Sequence, residues 1–270
     1  MIDLGLRGKR AVVSGAGYIP TRAGHGRASA LNLADAGATV ACIDIDEGRA
    51  RGIVSEIEAA GGKAFPIVAD MTDPRQVQRA LDEAVGTMGG IDVCVDIIGK
   101  ALWDHAETFS EDDWNFSILN NVTQVFFLFQ TAGRHMIEQG TGGAMVALAS
   151  VDGIVAAEYH APYGAAKAGV ISLVKTFAHE LGRYGIRVNA VAPGNVGAGN
   201  EDQPEGEYAV NGINPLAAPR GRDIGNAVLI LCSDLAARIT GQTLVVDGGA
   251  TIRALWGMSP DLIEQYREGY

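Results

Sequence analysis

The sequence predicts an α/β protein with a doubly wound, seven-stranded, mainly parallel sheet and helices on both faces. Short apolar runs rich in Val, Ile and Ala alternate along the chain with longer segments of helical periodicity. The 270 residues are 47% hydrophobic and 20% charged, which provides enough apolar surface for a substantial core. Neither a linker rich in Ser or Pro nor an internal repeat divides the sequence, so we expect one domain over residues 1–270.

Seven segments are predicted to be strands because each is short, apolar and bounded by turn or helix signals. They are residues 10–14, 39–44, 63–68, 91–97, 144–149, 187–192 and 243–246. Helices are predicted between them, among others over residues 24–36, 47–60 and 73–88. Asp73 can cap the third of these helices, and Pro74 suits its first position.

Composition and charge exclude several partners and compartments. Lys and Arg number 21 and Asp and Glu 32, so the formal net charge of −11 disfavours nucleic acid and anionic lipid. The three cysteines lie far apart in apolar segments, and the N-terminus lacks the layout of a signal peptide. Residues 114–133 carry no charge but five Asn and Gln side chains, so we predict a buried helix rather than a membrane span. We therefore expect a cytoplasmic protein. We also expect no metal site, because the histidines lack the spacing of metal ligands.

A glycine-rich turn follows the first predicted strand and leads into a helix. It contains Gly15, Gly24 and Gly26. Such a turn presents backbone N–H groups and a helix N-terminus to a pyrophosphate, and glycine permits the close approach. The succession of strand, turn and helix predicts the dinucleotide-binding site of a Rossmann fold.

The end of the second predicted strand indicates which dinucleotide binds. Asp44 lies there, eighteen residues after Gly26. A carboxylate at this spacing accepts hydrogen bonds from the adenosine 2′-hydroxyl and repels a 2′-phosphate, which predicts NAD as the cofactor. Asp46 is the alternative acceptor, while Arg22 and Arg27 would favour NADP.

Tyr163 and Lys167 lie four residues apart on a predicted helix and therefore share one face. A cation near a phenol lowers the phenol pKa by stabilising phenolate, so Lys167 can make Tyr163 a usable general acid/base. Ser150 ends a predicted strand thirteen residues before Tyr163, where its hydroxyl could bind a substrate oxygen. The three side chains predict an acid/base site.

With Asn121, these residues resemble the catalytic signature of the short-chain dehydrogenase/reductase family, and the resemblance covers roughly residues 8–251. It implies that Tyr163 transfers the alcohol proton while a hydride moves between nicotinamide and substrate. Lys167 would lower the phenol pKa and hold the nicotinamide ribose. Ser150 would orient the substrate oxygen, and Asn121 would support a water that connects Lys167 to solvent. The resemblance also implies a homotetramer.

The same resemblance implies further cofactor contacts. Asp70 resembles the acid that contacts adenine, and residues 193–196 resemble the segment that holds the nicotinamide amide. The predicted cofactor-binding residues are Gly15, Gly24, Gly26, Asp44, Asp70, Met71, Gly99, Tyr163, Lys167, Pro193, Gly194 and Val196.

Two segments depart from the family pattern. The turn between Gly15 and Gly24 is about five residues longer than usual. Enoyl reductases of the same superfamily share a long turn but have a wider Tyr-to-Lys spacing, so we expect a chain outside that branch. The run Asp96-Ile97-Ile98-Gly99 replaces the usual Asn-Asn-Ala-Gly. An Asp at the centre of the sheet must be hydrogen-bonded or neutral.

The substrate side is described less closely by the sequence. His160 is predicted to be an ordinary packed residue, since the sequence names no partner for it. Residues 195–221 are predicted to form a long substrate loop. Residues 254–270 carry apolar side chains at helical offsets, which predicts an apolar stripe that needs a surface to pack against. The family resemblance implies that this extension packs near the substrate mouth or across a subunit boundary.

The favoured function is an NAD-dependent oxidoreductase that interconverts a secondary alcohol and a ketone. One alternative is an NADPH-dependent carbonyl reductase, which Arg22 and Arg27 favour and Asp44 opposes. The other is a catalytically silent NAD-binding regulator, which the long turn and the altered residues 96–98 favour. The complete set of four catalytic residues opposes this second alternative.

Overall fold

The described part of the protein forms one seven-stranded sheet in which all neighbouring strands run parallel. The computed structural model describes residues 3–156, 158–196, 216 and 218–252. Its strands are β1 (Arg10–Ser14), β2 (Thr39–Asp44), β3 (Lys63–Val68), β4 (Val93–Asp96), β5 (Gly143–Leu148), β6 (Ile186–Pro193) and β7 (Thr243–Val246). Their order in the sheet is β3-β2-β1-β4-β5-β6-β7. The predicted doubly wound fold is confirmed.

Helices connect the strands and lie on both faces of the sheet. They are α1 (His25–Asp35), α2 (Glu47–Ala59), α3 (Pro74–Met88), α4 (Glu111–Ile118), α5 (Gln124–Gln139), α6 (Ala161–Leu181) and α7 (Gly221–Cys232). The predicted cap of α3 is confirmed, because the Asp73 carboxylate accepts a hydrogen bond from the Arg75 N–H at 2.9 Å. Pro74 is the first residue of that helix.

Two apolar cores separate the sheet from its helices. On one face, Phe129 of α5 and Val170 of α6 pack in a cluster that includes Val12 of β1. On the other face, Leu33 of α1 and Val228 of α7 belong to a second cluster. The strands of a parallel sheet are buried on both sides, which explains their nearly continuous apolar sequences.

The strand order places a topological switch point between β1 and β4. From β1 the chain proceeds outward through β2 to β3, and then returns to place β4 on the other side of β1. The loops that follow β1 and β4 therefore diverge and leave a crevice at the carboxyl ends of the strands. Ligands of open α/β sheets bind in this crevice.

The predicted helix over residues 114–133 is confirmed, because the segment is helical throughout, but only part of it is buried. The segment comprises the end of α4, a π-helical turn at Leu119–Thr123 and the start of α5. It also presents apolar surface to solvent. Its large apolar side chains that are 37–47% exposed are Trp114, Phe116, Leu119 and Phe126. Within the described residues, none of the helices is long and apolar enough to cross a membrane.

Two predicted segments fall largely or wholly outside the described residues. Of the predicted substrate loop over 195–221, residues 197–215 and 217 lie outside them. The predicted extension over 254–270 lies outside them entirely.

Candidate active site

A cavity of about 880 Å³ opens at the carboxyl ends of strands β1 to β6. Its volume lies in the upper part of the range for ligand pockets, about 300–1,000 Å³. Of the predicted catalytic and cofactor residues, only Asn121 is absent from its lining. The lining contains Gly15, Gly24, Gly26, Asp44, Asp70, Met71, Gly99, Ser150, Tyr163, Lys167, Pro193, Gly194 and Val196.

The glycine-rich turn forms the wall of the cavity between β1 and α1. Gly15 and Gly24 have φ angles of +74° and +67°, which favour glycine. A Cβ on Gly26 would collide with the carbonyl oxygen of Gly15, so the first turn of α1 packs directly on the loop. His25 is neutral at pH 7, because burial and the charge of Lys167 lower its pKa to about 4. A helix N-terminus that packs on a glycine-rich loop in this way fits a pyrophosphate.

The Asp44 carboxylate at the end of β2 is bound by an arginine that the sequence reasoning missed. Arg49 donates to Asp44 Oδ1 from Nε at 3.0 Å and from Nη2 at 2.7 Å. The backbone N–H of Gly17 donates to Asp44 Oδ2 at 3.2 Å. Arg49 lies in the first turn of α2, five residues after Asp44, and this short spacing was the available signal.

The two arginines expected to favour NADP have different positions. Arg22 lines the cavity. Arg27 is outside the cavity lining, and its Nε donates to Glu56 Oε2 at 2.7 Å. Arg49 therefore replaces Arg27 as the second arginine of the cavity lining.

Asp70 lies at the same end of the cavity as Asp44. Its Oδ1 accepts hydrogen bonds from the Thr72 N–H at 2.9 Å and from the Thr72 hydroxyl at 2.7 Å, which hold the carboxyl group in place. The cavity thus has carboxylates at one end, glycine backbone in the middle, and Lys167 with Tyr163 at the other end. This arrangement fits a dinucleotide bound across the switch point.

Ser150, Tyr163 and Lys167 converge where β5 and α6 meet. Ser150 follows β5 directly, and Tyr163 and Lys167 lie in the first two turns of α6. Lys167 is fully buried, and its Nζ donates to the Leu148 carbonyl at 2.7 Å. That ammonium nitrogen lies 5.6 Å from the centre of the Tyr163 ring. The structure brings together the acid, the cation and the hydroxyl that the sequence predicts.

The surroundings shift the pKa values of both Tyr163 and Lys167 toward the neutral form. Burial raises the pKa of Tyr163 to about 12; the Asp152 carboxylate adds to this rise, and the Ser150 hydroxyl opposes it. Burial lowers the pKa of Lys167 to about 8, which Asp96 opposes. The net shift of the phenol pKa is therefore upward, opposite to the direction expected from Lys167, because burial and Asp152 dominate. At neutral pH Tyr163 is a protonated phenol.

Asn121 lies in the π-helical turn between α4 and α5. Its Nδ2 donates to the carbonyls of Lys100 at 2.8 Å and Ser117 at 2.9 Å, and its Oδ1 accepts from the Lys100 N–H at 3.1 Å. A Cβ on Gly99 would lie 3.1 Å from Lys167 Nζ and 3.3 Å from Asn121 Oδ1. Both polar groups therefore approach the same point behind the cavity wall. The extra residue of a π turn is a common device at functional sites.

Comparison with known proteins assigns the family. A family model described as enoyl-(acyl carrier protein) reductase matches residues 19–251. A crystal structure of a short-chain dehydrogenase/reductase from Burkholderia xenovorans is similar, with a TM-score of 0.85 and 34% sequence identity over 92% of this chain and 98% of that chain. The chain belongs to the short-chain dehydrogenase/reductase family. It is an oxidoreductase of that family.

Curated members of the family resemble this chain over nearly their full length. L-rhamnose 1-dehydrogenase (NAD(P)(+)) from Sphingomonas sp. strain SKA58 is 36% identical over 90% of this chain and 96% of its own. The 3-oxoacyl-(acyl-carrier-protein) reductase of Thermotoga maritima is 35% identical over 92% of this chain and 99% of its own. The family thus includes both dehydrogenases and reductases among the relatives of this chain.

Asp96, which departs from the pattern of the short-chain dehydrogenase/reductase family, is fully buried at the end of β4. Its Oδ2 accepts a hydrogen bond from Gln124 Nε2 at 3.0 Å. Burial raises the pKa of Asp96 to about 6, which Gln124 and the charge of Lys167 oppose. The expectation of a hydrogen-bonded carboxyl group is confirmed, and its ionisation is disfavoured by its position in the sheet.

His160 has partners that the sequence reasoning did not identify. Its Nδ1 lies 3.0 Å from Asp152 Oδ2, and its ring centre lies 3.4 Å from that of Trp103. His160, Asp152 and Trp103 all line the cavity beside Tyr163. The expectation of a packed histidine is confirmed by its burial, and the structure adds the partner that the sequence did not name. The sequence contained one signal for this pair. Asp152 follows Ser150 by two residues, in the loop after β5, where a partner for His160 could be expected.

Proposed function

We propose that the protein is an NAD-dependent dehydrogenase that interconverts a secondary alcohol and a ketone, with Tyr163 as the general acid/base. The observation that carries the proposal is the convergence of Ser150, Tyr163 and Lys167 on the wall of a cavity whose far end holds Asp44. Proton transfer by a positioned side chain contributes about 10²–10⁴ in rate. Hydride transfer itself belongs to the chemistry that bound NAD supplies.

The side chains of the cavity have distinct tasks in this proposal. Tyr163 gives its phenolic proton to a ketone oxygen, or takes the proton of an alcohol. Ser150 donates a hydrogen bond to the same substrate oxygen and orients it. Lys167 holds the cofactor ribose, and Asn121 supports a water that carries protons between Lys167 and solvent. The proximity of Asn121 Oδ1 and Lys167 Nζ to Gly99 supports this last task.

The protonation state of Tyr163 distinguishes the two directions of the reaction. With a pKa of about 12, the phenol keeps its proton at neutral pH and is ready to donate it to a ketone. Alcohol oxidation needs the phenolate form of Tyr163, which a higher pH favours. We therefore expect the rate of oxidation to rise with pH through the neutral range.

The preference for NAD rests on Asp44. Its carboxylate lies at the cavity end where the adenosine ribose is expected, and it repels a 2′-phosphate. The second candidate function is NADPH-dependent carbonyl reduction, which Arg22 and Arg49 in the same lining favour. The name of the Sphingomonas relative includes both cofactors. The third candidate, a silent NAD-binding regulator, conflicts with the intact Ser150, Tyr163 and Lys167.

We further propose a cytoplasmic homotetramer in which residues 1–270 act as one domain, with residues 195–221 as the substrate loop and residues 254–270 at the substrate mouth or a subunit boundary. The exposed apolar side chains of α4 and α5 support subunit association. Trp114 is 47% and Phe126 is 38% exposed in the single chain. Such side chains are candidates for burial between subunits, because association sites are commonly apolar. The net charge of −11 disfavours nucleic acid and anionic membrane as partners.

A screen of secondary alcohols with NAD and with NADP, followed by the absorbance of the reduced nicotinamide, tests the proposal. We expect turnover with NAD, and a higher kcat/KM with NAD than with NADP. The reverse reaction with the matching ketones checks the direction. Binding of NAD without turnover of any alcohol or ketone would favour the silent regulator.

A further inference from the structure

We propose that Asp152, held in place by His160, is a specificity-determining residue that binds a second hydroxyl group of the substrate. This hydroxyl lies on the carbon next to the reacting one, so the preferred substrates are neutral vicinal diols and longer polyols. The inference rests on the proposed function, because it assumes that Tyr163 and Ser150 bind the reacting oxygen.

The backbone around Asp152 is anchored to the catalytic residues. Asp152 lies in a short helical turn, Val151–Gly153, that follows Ser150, and its N–H donates to Ser150 Oγ at 3.2 Å. A Cβ on Gly164 would lie 2.9 Å from the Asp152 carbonyl oxygen, so the turn is seated on α6 beside Tyr163. The side chain of Asp152 therefore has a defined position relative to both groups that bind the reacting oxygen.

His160 orients the carboxyl group of Asp152. A carboxylate only accepts hydrogen bonds, so the proton between Asp152 Oδ2 and His160 Nδ1 belongs to the imidazole. His160 is 7% exposed, and its ring centre lies 3.4 Å from that of Trp103 and 5.4 Å from that of Tyr163. Burial and these two ring contacts leave the imidazole little freedom to turn.

The segment before His160 is held in a conformation that is unfavourable for its residue type. Tyr159 has a φ of +62°, in the left-handed region that only glycine adopts readily. Its carbonyl accepts a hydrogen bond from the Asp104 N–H at 3.1 Å, and its ring lies 4.9 Å from that of His105. Backbone strain of this kind persists where surrounding contacts enforce it, often at ligand sites.

The second carboxylate oxygen of Asp152 is available to a substrate. Within the described residues, Asp152 Oδ1 makes no hydrogen bond, and 22% of the side chain remains exposed in the cavity lining. Asp152 is close enough to Tyr163 for its charge to act on the phenol. A ligand oxygen bound by Tyr163 thus brings the neighbouring carbon of the ligand toward Asp152.

The chemistry of a carboxylate defines the group that binds there. It accepts a hydrogen bond from a hydroxyl, and such charge-assisted bonds are stronger than neutral ones. A substrate without a donor at this point would displace water from Asp152 without replacing its hydrogen bond, and this loss weakens binding. Carboxylate or phosphate groups on the substrate would be repelled. A neutral polyol satisfies all three conditions.

Matched substrate pairs test the inference. We would compare kcat/KM with NAD for butane-2,3-diol and butan-2-ol, for cyclohexane-1,2-diol and cyclohexanol, and for propane-1,2-diol and 1-aminopropan-2-ol. The wild-type protein should prefer each diol over its mono-alcohol by about tenfold to hundredfold, the effect of one hydrogen bond to a charged group. The amine, which carries an ammonium donor at neutral pH, tests whether the site takes a hydroxyl group or a cation.

Variants assign the preference to the Asp152–His160 pair. Asp152→Ala should reduce the ratio of diol to mono-alcohol to near one, and Asp152→Asn, which keeps an acceptor oxygen, should restore part of it. His160→Phe keeps an aromatic ring against Trp103 but loses the hydrogen bond, so it should raise KM for the diol more than it lowers kcat for the mono-alcohol. Asp35→Asn removes an exposed negative charge outside the cavity lining and serves as the control.

Several results would overturn the inference while leaving the proposed function intact. Equal kcat/KM for diols and mono-alcohols in the wild type would do so, as would a diol preference that survives in Asp152→Ala. A preference for 1-aminopropan-2-ol would make Asp152 a cation site instead. An increase in melting temperature on addition of NAD shows that a variant is folded. If Asp152→Ala does not fold, Asp152→Asn and His160→Phe decide the question. Absence of turnover with any alcohol would count against the proposed function itself.

Discussion

Arg49 binds the Asp44 carboxylate through two hydrogen bonds to Oδ1, from Nε at 3.0 Å and from Nη2 at 2.7 Å. The carboxyl group lines the cavity and is almost buried, whereas 30% of the arginine side chain is exposed. Each side chain thus offsets the charge of the other. The proposed selectivity for NAD therefore depends on the pair and not on Asp44 alone.

The first prediction concerns this pair. Wild-type protein should show a higher kcat/KM with NAD than with NADP. Asp44→Ala should lower the ratio of kcat/KM with NAD to kcat/KM with NADP by about tenfold or more, because it removes a repelling charge and frees Arg49 to bind the 2′-phosphate. The double variant with Arg49→Ala should lose this gain, while Arg27→Ala, outside the cavity lining, should leave the ratio unchanged. Steady-state kinetics with both cofactors measures the effect, and a wild-type preference for NADP would refute the assignment of Asp44.

The second prediction concerns the general acid/base. Tyr163→Phe should lower kcat by about 10²–10⁴, because it removes the transferable proton while keeping the ring. NAD should bind as before, which titration of the melting temperature with NAD would show. Tyr184→Phe changes a tyrosine that lies outside the cavity lining and serves as the control. Retention of more than about a tenth of kcat would contradict the role of Tyr163.

The third prediction concerns the buried carboxyl group in β4. The pKa of Asp96 rises from 3.8 to about 6 on folding, so stability is lost as the pH rises through this interval and stays lost above it. Asp96→Asn keeps the hydrogen bond to Gln124 without the charge. It should therefore raise the melting temperature at about pH 8 by on the order of 5 °C, and by much less at about pH 4.

Thermal unfolding across pH measures this difference. The exposed Asp35→Asn variant removes one negative charge without burial and serves as the control. The charge of Asp96 also raises the pKa of Lys167. In Asp96→Asn this pKa should be lower, so Lys167 should lose its charge at a lower pH. We therefore expect the activity of Asp96→Asn to fall at a lower alkaline pH than that of the wild type. An equal change in melting temperature at all pH values would argue against a disfavoured charge at Asp96.

The fourth prediction concerns residues 254–270, which lie outside the described residues. Their apolar side chains at helical offsets need a surface to pack against. Deletion of the segment should change KM for the substrate or the mass of the oligomer, measured by light scattering, and should leave NAD binding largely intact. If mass, KM and melting temperature all match those of the full chain, the segment has neither role.

The sequence by itself determined the fold, most of the cavity wall and the candidate catalytic groups. Alternating apolar runs and helical segments define a parallel sheet, because a strand buried on both faces needs an apolar side chain at nearly every position. Gly15, Ser150 and Tyr163 were identifiable because each lies at a strand end or helix start, and a parallel sheet brings all such ends to one edge. Local sequence patterns thus predicted most of the residues that form the candidate site.

The tertiary structure alone decided the electrostatics of that site. Asp152 reaches His160 and Tyr163 across the loop between β5 and α6, and Trp103 comes from a loop more than forty residues earlier in the chain. The pKa of Tyr163 rises instead of falling, because burial and the Asp152 charge depend on how these loops pack and not on the spacing of Tyr163 and Lys167. Coulomb interactions and desolvation follow distance in space, so residues far apart in sequence determine them.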